Sequence, residues 1–264
     1  MKVKSKMKDL VVIIPLHIFD DDVKPLLTDA INSVPNDLEV RLSCAKGLGK
    51  KLAEFAKPFK NAVIYEAKDN DSSFCKLVNQ AVGDSKYFSI VEYDDECTPI
   101  WYDNFKRYAD TYTDVSVFMY LEDIVDYNEK KYIGFGNEAP WASSFSNEIG
   151  EIDNDCLQDF FDFYMTGSIF KTEDWVSVGG LKTNLPIVFW YEFLLRMTNK
   201  QKRVMVIPKV GYVHYLGRKG SLIETYRDTI TEEESEYWFK VAKKESFHTT
   251  QRDVKPYSKD EEED

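Results

Sequence analysis

The stretch Leu10-Val-Val-Ile-Ile-Pro-Leu16, with Val23, Leu26, Leu27, Ala30, Ile31 and Val34 behind it, decides the fold. Its first part is a continuous apolar run broken by Pro15, the pattern of a strand buried on both faces. Its second part places apolar residues at i, i+3, i+4, i+7, i+8 and i+11, an amphipathic helix. A doubly buried strand that feeds a one-sided helix opens a βαβ unit. The pattern continues downstream. Leu38 to Cys44 reads as a strand, Leu48, Leu52 and Phe55 as a short helix, and Ala62 to Tyr65 as a third strand. Phe74, Leu77, Val78, Ala81 and Val82 repeat the helical spacing behind a Ser72 or Ser73 cap, and Tyr87 to Glu92 is a fourth strand. Such alternation predicts right-handed crossovers and a mostly parallel sheet flanked by helices.

In open α/β sheets ligands bind beyond the carboxyl ends of the strands. That rule gathers Pro15-Leu16-His17, Ser43-Cys44-Ala45 and Tyr93-Asp94-Asp95 around one crevice. Later, Trp101, Phe105, Tyr108 and Tyr112 form a helical stripe. Val115 to Leu121, Lys131 to Phe135, Met165 to Phe170 and Val204 to Ile207 read as strands, the last ending at Pro208. Residues 136–155 read as a long polar loop, Thr172 to Val178 as a short helix stopped by Gly179-Gly180, and Phe189 to Met197 as an apolar helix. The expected organisation is one α/β domain over 1–225. Behind it, 226–264 is expected to hold a polar helix and a solvated acidic end, Asp260-Glu-Glu-Glu-Asp264, a candidate protein-partner surface.

Composition bounds the function. The chain has 264 residues, 43% of them hydrophobic, which is enough to bury a core and excludes global disorder. Its net charge of −12 argues against a generic nucleic-acid or anionic-membrane binder. Four cysteines without CxxC spacing and three histidines exclude a zinc finger and fit a reducing compartment. The seven residues of Leu10–Leu16 are too few for a secretory segment or a membrane span. The expected location is the cytoplasm.

Two local signals carry chemistry. Glu92-Tyr93-Asp94-Asp95-Glu96 sets four carboxylates directly after a buried strand. Packed together they repel, and a hard divalent cation, Mg²⁺ or Mn²⁺, relieves the repulsion. The plain alternative is an acidic turn capping the next helix. The second signal is a charge inversion. Between Glu192 and Glu224 there is no acid but there are seven bases, Arg196, Lys200, Lys202, Arg203, Lys209, Arg218 and Lys219. This would suit an anion such as a diphosphate, or else a solvated basic face. Arg218, Lys219 and Ser221 lie in a loop flanked by Gly217 and Gly220 and are the stronger anion candidates. His17 and His214 read equally well as hydrogen-bonded core residues or as ligands.

In order along residues 9–222 the chain resembles the GT-A glycosyltransferases, the large inverting family that uses nucleotide-diphosphate sugars. The resemblance rests on Val-Val-Ile-Ile-Pro15, on Asn79 in Leu-Val-Asn-Gln-Ala, and on Val91-Glu-Tyr-Asp-Asp95 with Pro99. It continues through Gly167-Ser-Ile-Phe with Val178-Gly-Gly-Leu181, Trp190-Tyr-Glu-Phe-Leu-Leu-Arg196, and Pro208, His214, Arg218 and Ser221. It implies Asp94 and His214 as metal ligands for Mn²⁺ or Mg²⁺, with Asp95 at the same centre. It implies Pro15, Leu16 and His17 beside the nucleotide, with Asn79, Glu92, Arg218, Lys219 and Ser221 completing the donor site. It further implies a catalytic base on the late helix, for which Glu192 is the candidate.

The sequence departs from the family at three points. The first motif acid is Glu92, Phe189-Trp190 stand where the catalytic acid pair is expected, and Ser43-Cys44-Ala45 stand where an acid follows the second strand. The implied activity is sugar transfer to a glycan, a protein hydroxyl or a modified nucleobase. The alternatives are a degenerate GT-A domain serving as a binding or structural subunit and, more weakly, a nucleotidyltransferase.

Overall fold

A computed structural model describes residues 9–141 and 150–259. The expected strand and helix pattern appears as β1 (Leu10–Leu16), α1 (Val23–Ser33), β2 (Glu39–Cys44), α2 (Gly49–Phe55), β3 (Ala62–Glu66), α3 (Phe74–Ala81) and β4 (Tyr87–Ile90). Ser73 caps α3, its hydroxyl accepting from the Lys76 amide at 3.4 Å. Then follow β5 (Glu96–Cys97), α4 (Trp101–Thr111), β6 (Val115–Asp126), β7 (Tyr132–Gly136), β8 (Gly150–Ile152) and α5 (Cys156–Asp159). The chain continues with β9 (Ile169–Lys171), α6 (Thr172–Val178), α7 (Phe189–Asn199), β10 (Arg203–Leu216), α8 (Leu222–Thr229) and α9 (Glu232–Glu245).

One sheet runs in the order β3-β2-β1-β4-β9-β6-β10-β5, with β7 on β6 and β8 on β10. The six strands β1, β2, β3, β4, β6 and β10 share one direction. The short β5, β7, β8 and β9 run against them, so the sheet is mostly parallel, as expected, with short antiparallel strands added to it. The alternation of β1 builds two cores. Val12, Ile14 and Leu16 face α1, α2 and α4, whereas Val11 and Ile13 face α3, α6, α7 and α9.

Two strand predictions fail for backbone reasons. Met165 to Ser168 is not strand, because Gly167 takes a left-handed φ of +74° and turns the chain. The strand expected to stop at Pro208 runs on to Leu216. Register shifts between Ile207, Val210 and Tyr212 absorb Pro208 and Gly211 in bulges, where a missing N–H costs no ladder bond. Gly211 is required there, because a Cβ at that position would run into the ring of Tyr120.

Behind α8 the chain packs back. Trp238 and Ala242 of α9 are buried against the α7 side of the core. Asn184 donates to the Arg252 carbonyl at 2.9 Å. The expected acidic end, 260–264, lies outside the described residues, as do residues 142–149 of the polar loop expected over 136–155, within which Gly150–Ile152 forms β8. Among the described residues no helix is long and apolar enough to cross a membrane.

Candidate functional site

The extension of β10 past Pro208 makes the site. β5 lies antiparallel on β10, with Tyr212 opposite Cys97 and Val213 opposite Glu96. That register brings Asp95, at the foot of β5, against His214. The His214 Nδ1 lies 2.9 Å from one Asp95 oxygen, and the Tyr215 amide donates to the other at 2.9 Å. Asp95 is 1% exposed and spends both oxygens in this way. It therefore orients His214, and the metal-ligand role expected of it does not fit. The other ring nitrogen, Nε2 of His214, is buried and has no hydrogen-bond partner among the described residues.

Asp94 points the other way. Its carboxylate accepts from Arg218 Nε at 2.6 Å, and Arg218 Nη2 donates to the Tyr93 hydroxyl at 2.6 Å while its guanidinium lies over the Tyr93 ring. Glu92 is held through its backbone, its amide donating to the Tyr212 hydroxyl at 3.0 Å. Tyr212 can sit there because Gly167 lies against its ring, where a Cβ would collide.

The electrostatics are those of crowded acids. Burial, followed by the charges of Asp95 and Asp94, pushes Glu92 up to about 8. Burial and Asp95 also raise Asp94 despite its Arg218 partner. Burial alone would lower His214, but the charge and hydrogen bond of Asp95, with Glu92 and Glu122, outweigh it and carry the imidazole up to about 10. His17 is shifted down, by burial and by the Arg218 charge. Glu122 on β6 was not singled out in the sequence. It is wholly buried, neither of its oxygens has a partner among the described residues, and burial raises it well above the carboxylate range.

Two cavities meet at Glu92, Asp94, Phe74, Ser221 and Tyr226. One, of about 200 Å³, is lined by Pro15, His17, Ser72, Ser73, Leu77, Tyr93 and Arg218. The other, of about 190 Å³, is walled by aromatic side chains of 161–165, of α7 and of α9, and also by Asp162 and His214. The structure thus brings together Pro15, His17, Glu92, Asp94, His214, Arg218 and Ser221 from the expected set.

Others stand elsewhere. Leu16 is fully buried in the core. Asn79 lines neither cavity; its side chain clamps the Leu181 backbone, donating at 2.7 Å and accepting at 3.0 Å. Lys219 is exposed and also lines neither. Ser43 is buried and donates to the Leu77 carbonyl.

Glu192 is the main correction. It is 0% exposed, forms two hydrogen bonds with Arg196 (2.9 and 2.6 Å), and lies 3.4 Å from the buried Lys182 Nζ. It lines neither cavity, and a carboxylate neutralised inside the core cannot take a proton from a bound acceptor. The basic stretch dissolves in the same way. Arg196 serves Glu192, Lys202 serves Asp174, and Arg203 serves Glu151 and Asp114, so Arg218 is its contribution to the crevice.

No family model and no curated protein matches the chain. Solved structures do. Residues 1–349 of Staphylococcus aureus TarS in complex with UDP-GlcNAc superpose with a TM-score of 0.64 at 15% identity, over 89% of this chain and 65% of that one. The same TarS fragment with UDP gives 0.59 at 15% identity, over 86% and 68%. Full TarS gives 0.58 at 15% identity, over 92% of this chain and 44% of its own length. The chain thus has the GT-A glycosyltransferase fold, in a divergent sequence. It spans about two thirds of the TarS fragment.

Proposed function

We propose that this chain transfers a sugar from a nucleoside diphosphate sugar, a UDP-sugar, to a hydroxyl acceptor. The observation that carries the reading is the junction of the two cavities at Glu92 and Asp94. The cavity lined by Pro15, His17, Tyr93 and Arg218 takes the nucleotide, and its neighbour takes the acceptor. The TarS neighbours, with UDP or UDP-GlcNAc bound, support the choice of nucleotide.

The junction also suits a cation. Glu92, Asp94, Asp95 and Glu122 face two bases, Arg218 and His214, so acid is in excess. Among the described residues no group of three or more His, Cys, Asp or Glu is arranged to hold an ion alone. Mg²⁺ and Mn²⁺ sites commonly use one or two protein donors with substrate phosphates and water. Asp94 and the unpartnered Nε2 of His214 would be such a pair once the ion displaces the Nε2 proton, and Asp95 fixes the imidazole from behind, as carboxylates do behind metal-binding histidines. A bound ion there supplies charge neutralisation to the departing diphosphate.

In the step itself the acceptor oxygen bonds to the anomeric carbon. The bond from that carbon to the diphosphate oxygen breaks, and its electron pair leaves with the nucleoside diphosphate. Arg218 lies beside that leaving group and stabilises its charge. The acceptor's proton goes to Asp162, an exposed carboxylate lining the acceptor cavity, in place of the buried Glu192.

Calorimetry with UDP-sugars and Mn²⁺ tests this. Asp94→Ala should abolish donor binding. Asp162→Asn should keep donor binding and lose roughly 10²- to 10⁴-fold in transfer rate. Donor binding unchanged in Asp94→Ala would overturn the site. A second reading, a GT-A domain kept as a binding subunit, is favoured by Phe189-Trp190 at the usual acid pair and by the burial of Glu192. It predicts that wild type binds no UDP-sugar at all.

A further inference from the structure

The cavity beside Asp94 has a composition that says what enters it. Phe161, Tyr191 and Phe239 meet edge to face, with ring centroids 4.8 Å apart for Phe161 and Phe239 and 5.4 Å for Tyr191 and Phe239. Across the same cavity Phe74 and Trp190 meet at 5.9 Å, and Trp190 stacks on Phe170. Phe161 is 53% exposed, a large apolar ring left half in water. Phe239 comes from α9, so the C-terminal helix supplies part of the wall.

Charge is the second, independent observation. The lining holds three acids, Glu92, Asp94 and Asp162, against one base, His214, and among the described residues no Lys or Arg. Such a wall repels phosphate, carboxylate and sulfate groups. The volume sets the size. An apolar cavity of about 150 Å³ accommodates benzene, and this one is about 190 Å³.

We infer that the acceptor is an uncharged hydroxyl compound carrying an apolar, ring-sized group. The ring packs against Phe161, Tyr191 and Phe239, and the hydroxyl points to the Asp162 and Asp94 end. This deepens the proposed transferase reading and rests on it for the word acceptor, but the binding claim can be measured without any donor. A phosphate-bearing polymer or nucleic acid is the excluded class.

The test titrates the full chain with benzyl alcohol and with benzyl phosphate, by ligand-observed NMR, and separately titrates wild type with UDP and Mn²⁺. Benzyl alcohol should bind at one site, about tenfold or more tighter than benzyl phosphate. Phe239→Ala should weaken benzyl alcohol about fivefold or more. Phe161→Ala, at a half-exposed position that does not threaten folding, should act in the same direction.

Benzyl phosphate binding as well as or better than benzyl alcohol overturns the inference. So does UDP binding with neither ring probe bound, or benzyl alcohol binding that both Phe variants leave intact. Benzyl alcohol bound and lost in the variants, with UDP not bound, keeps the cavity assignment and removes the transferase reading instead.

Discussion

Replacing Glu192 by Gln separates a structural acid from a catalytic one. Glu192 is wholly buried beside Arg196 and Lys182, and Lys182 Nζ also binds the Glu245 carboxylate at 2.8 Å. Arg196 is 0% exposed and donates further to the carbonyls of Val178 and Gly180, so it cannot swing out to water. The amide keeps the shape but removes a charge, and leaves two buried cations facing one buried anion. Breaking a buried pair in this way costs about 3–5 kcal/mol. At roughly 2–4 °C per kcal/mol for a chain of this size, the melting temperature should fall by about 10 °C.

Urea and thermal melts measure that, and donor binding below the transition should survive. Arg196→Met should cost a similar amount, and the double variant less than the sum, since the two share one interaction. The reasoning is refuted by a Glu192→Gln protein with wild-type melts that has lost transfer about 10²-fold or more. That outcome would make Glu192 the base after all.

Other perturbations follow from the same contacts. Asn79→Ala removes both bonds to Leu181 and should cost about 1–3 kcal/mol in a urea melt while leaving the UDP-sugar dissociation constant within about twofold; a tenfold affinity loss at unchanged stability would move Asn79 into the donor site. Gly167→Ala forces a Cβ into the Tyr212 ring at a φ of +74° and should cost about 2 kcal/mol or more, and a variant as stable as wild type would sink the packing argument. Stability in metal-free buffer should fall as pH rises from 6 to 10, over the span of the shifts at Glu92 (to about 8) and His214 (to about 10). Glu92, raised above 4.5, binds a proton in the folded state that the unfolded chain has lost, so its contribution falls between about 4.5 and 8. His214, raised above 6.5, contributes fully below 6.5 and loses that as pH passes about 10. A melting temperature that climbs across this range contradicts both signs.

The fold was legible where one physical signal dominated. Apolar period and helix spacing located β1 through β4 and α1 through α3, because burial on a sheet face leaves little choice of residue. Pro208 misled, because a proline ends a regular strand but not one that bulges, and bulges depend on the partner strand β6. The site was half legible for a related reason. Glu92 to Glu96 stood out by local crowding, whereas the basic stretch pooled side chains that point to different places, since spacing along the chain does not reveal ion partners.

A usable signal was nonetheless present at Glu192. An acid and a base at i and i+4, set in Phe-Trp-Tyr-Glu-Phe-Leu-Leu-Arg on a helix apolar all round, mark an internal ion pair. Glu122 is the opposite case, a fully buried acid on β6 that stands opposite Tyr212 on β10, with neither oxygen partnered among the described residues. Both break the local rule that cores are apolar. In one the charge is cancelled within the protein, so the residue is explained by the fold. In the other it is not: burial raises the Glu122 carboxyl out of the carboxylate range beside Asp95, Glu92 and His214, and a cation from outside would favour its charged form. Whether a buried charge is cancelled, rather than whether it exists, is what separates the scaffold of this molecule from its site.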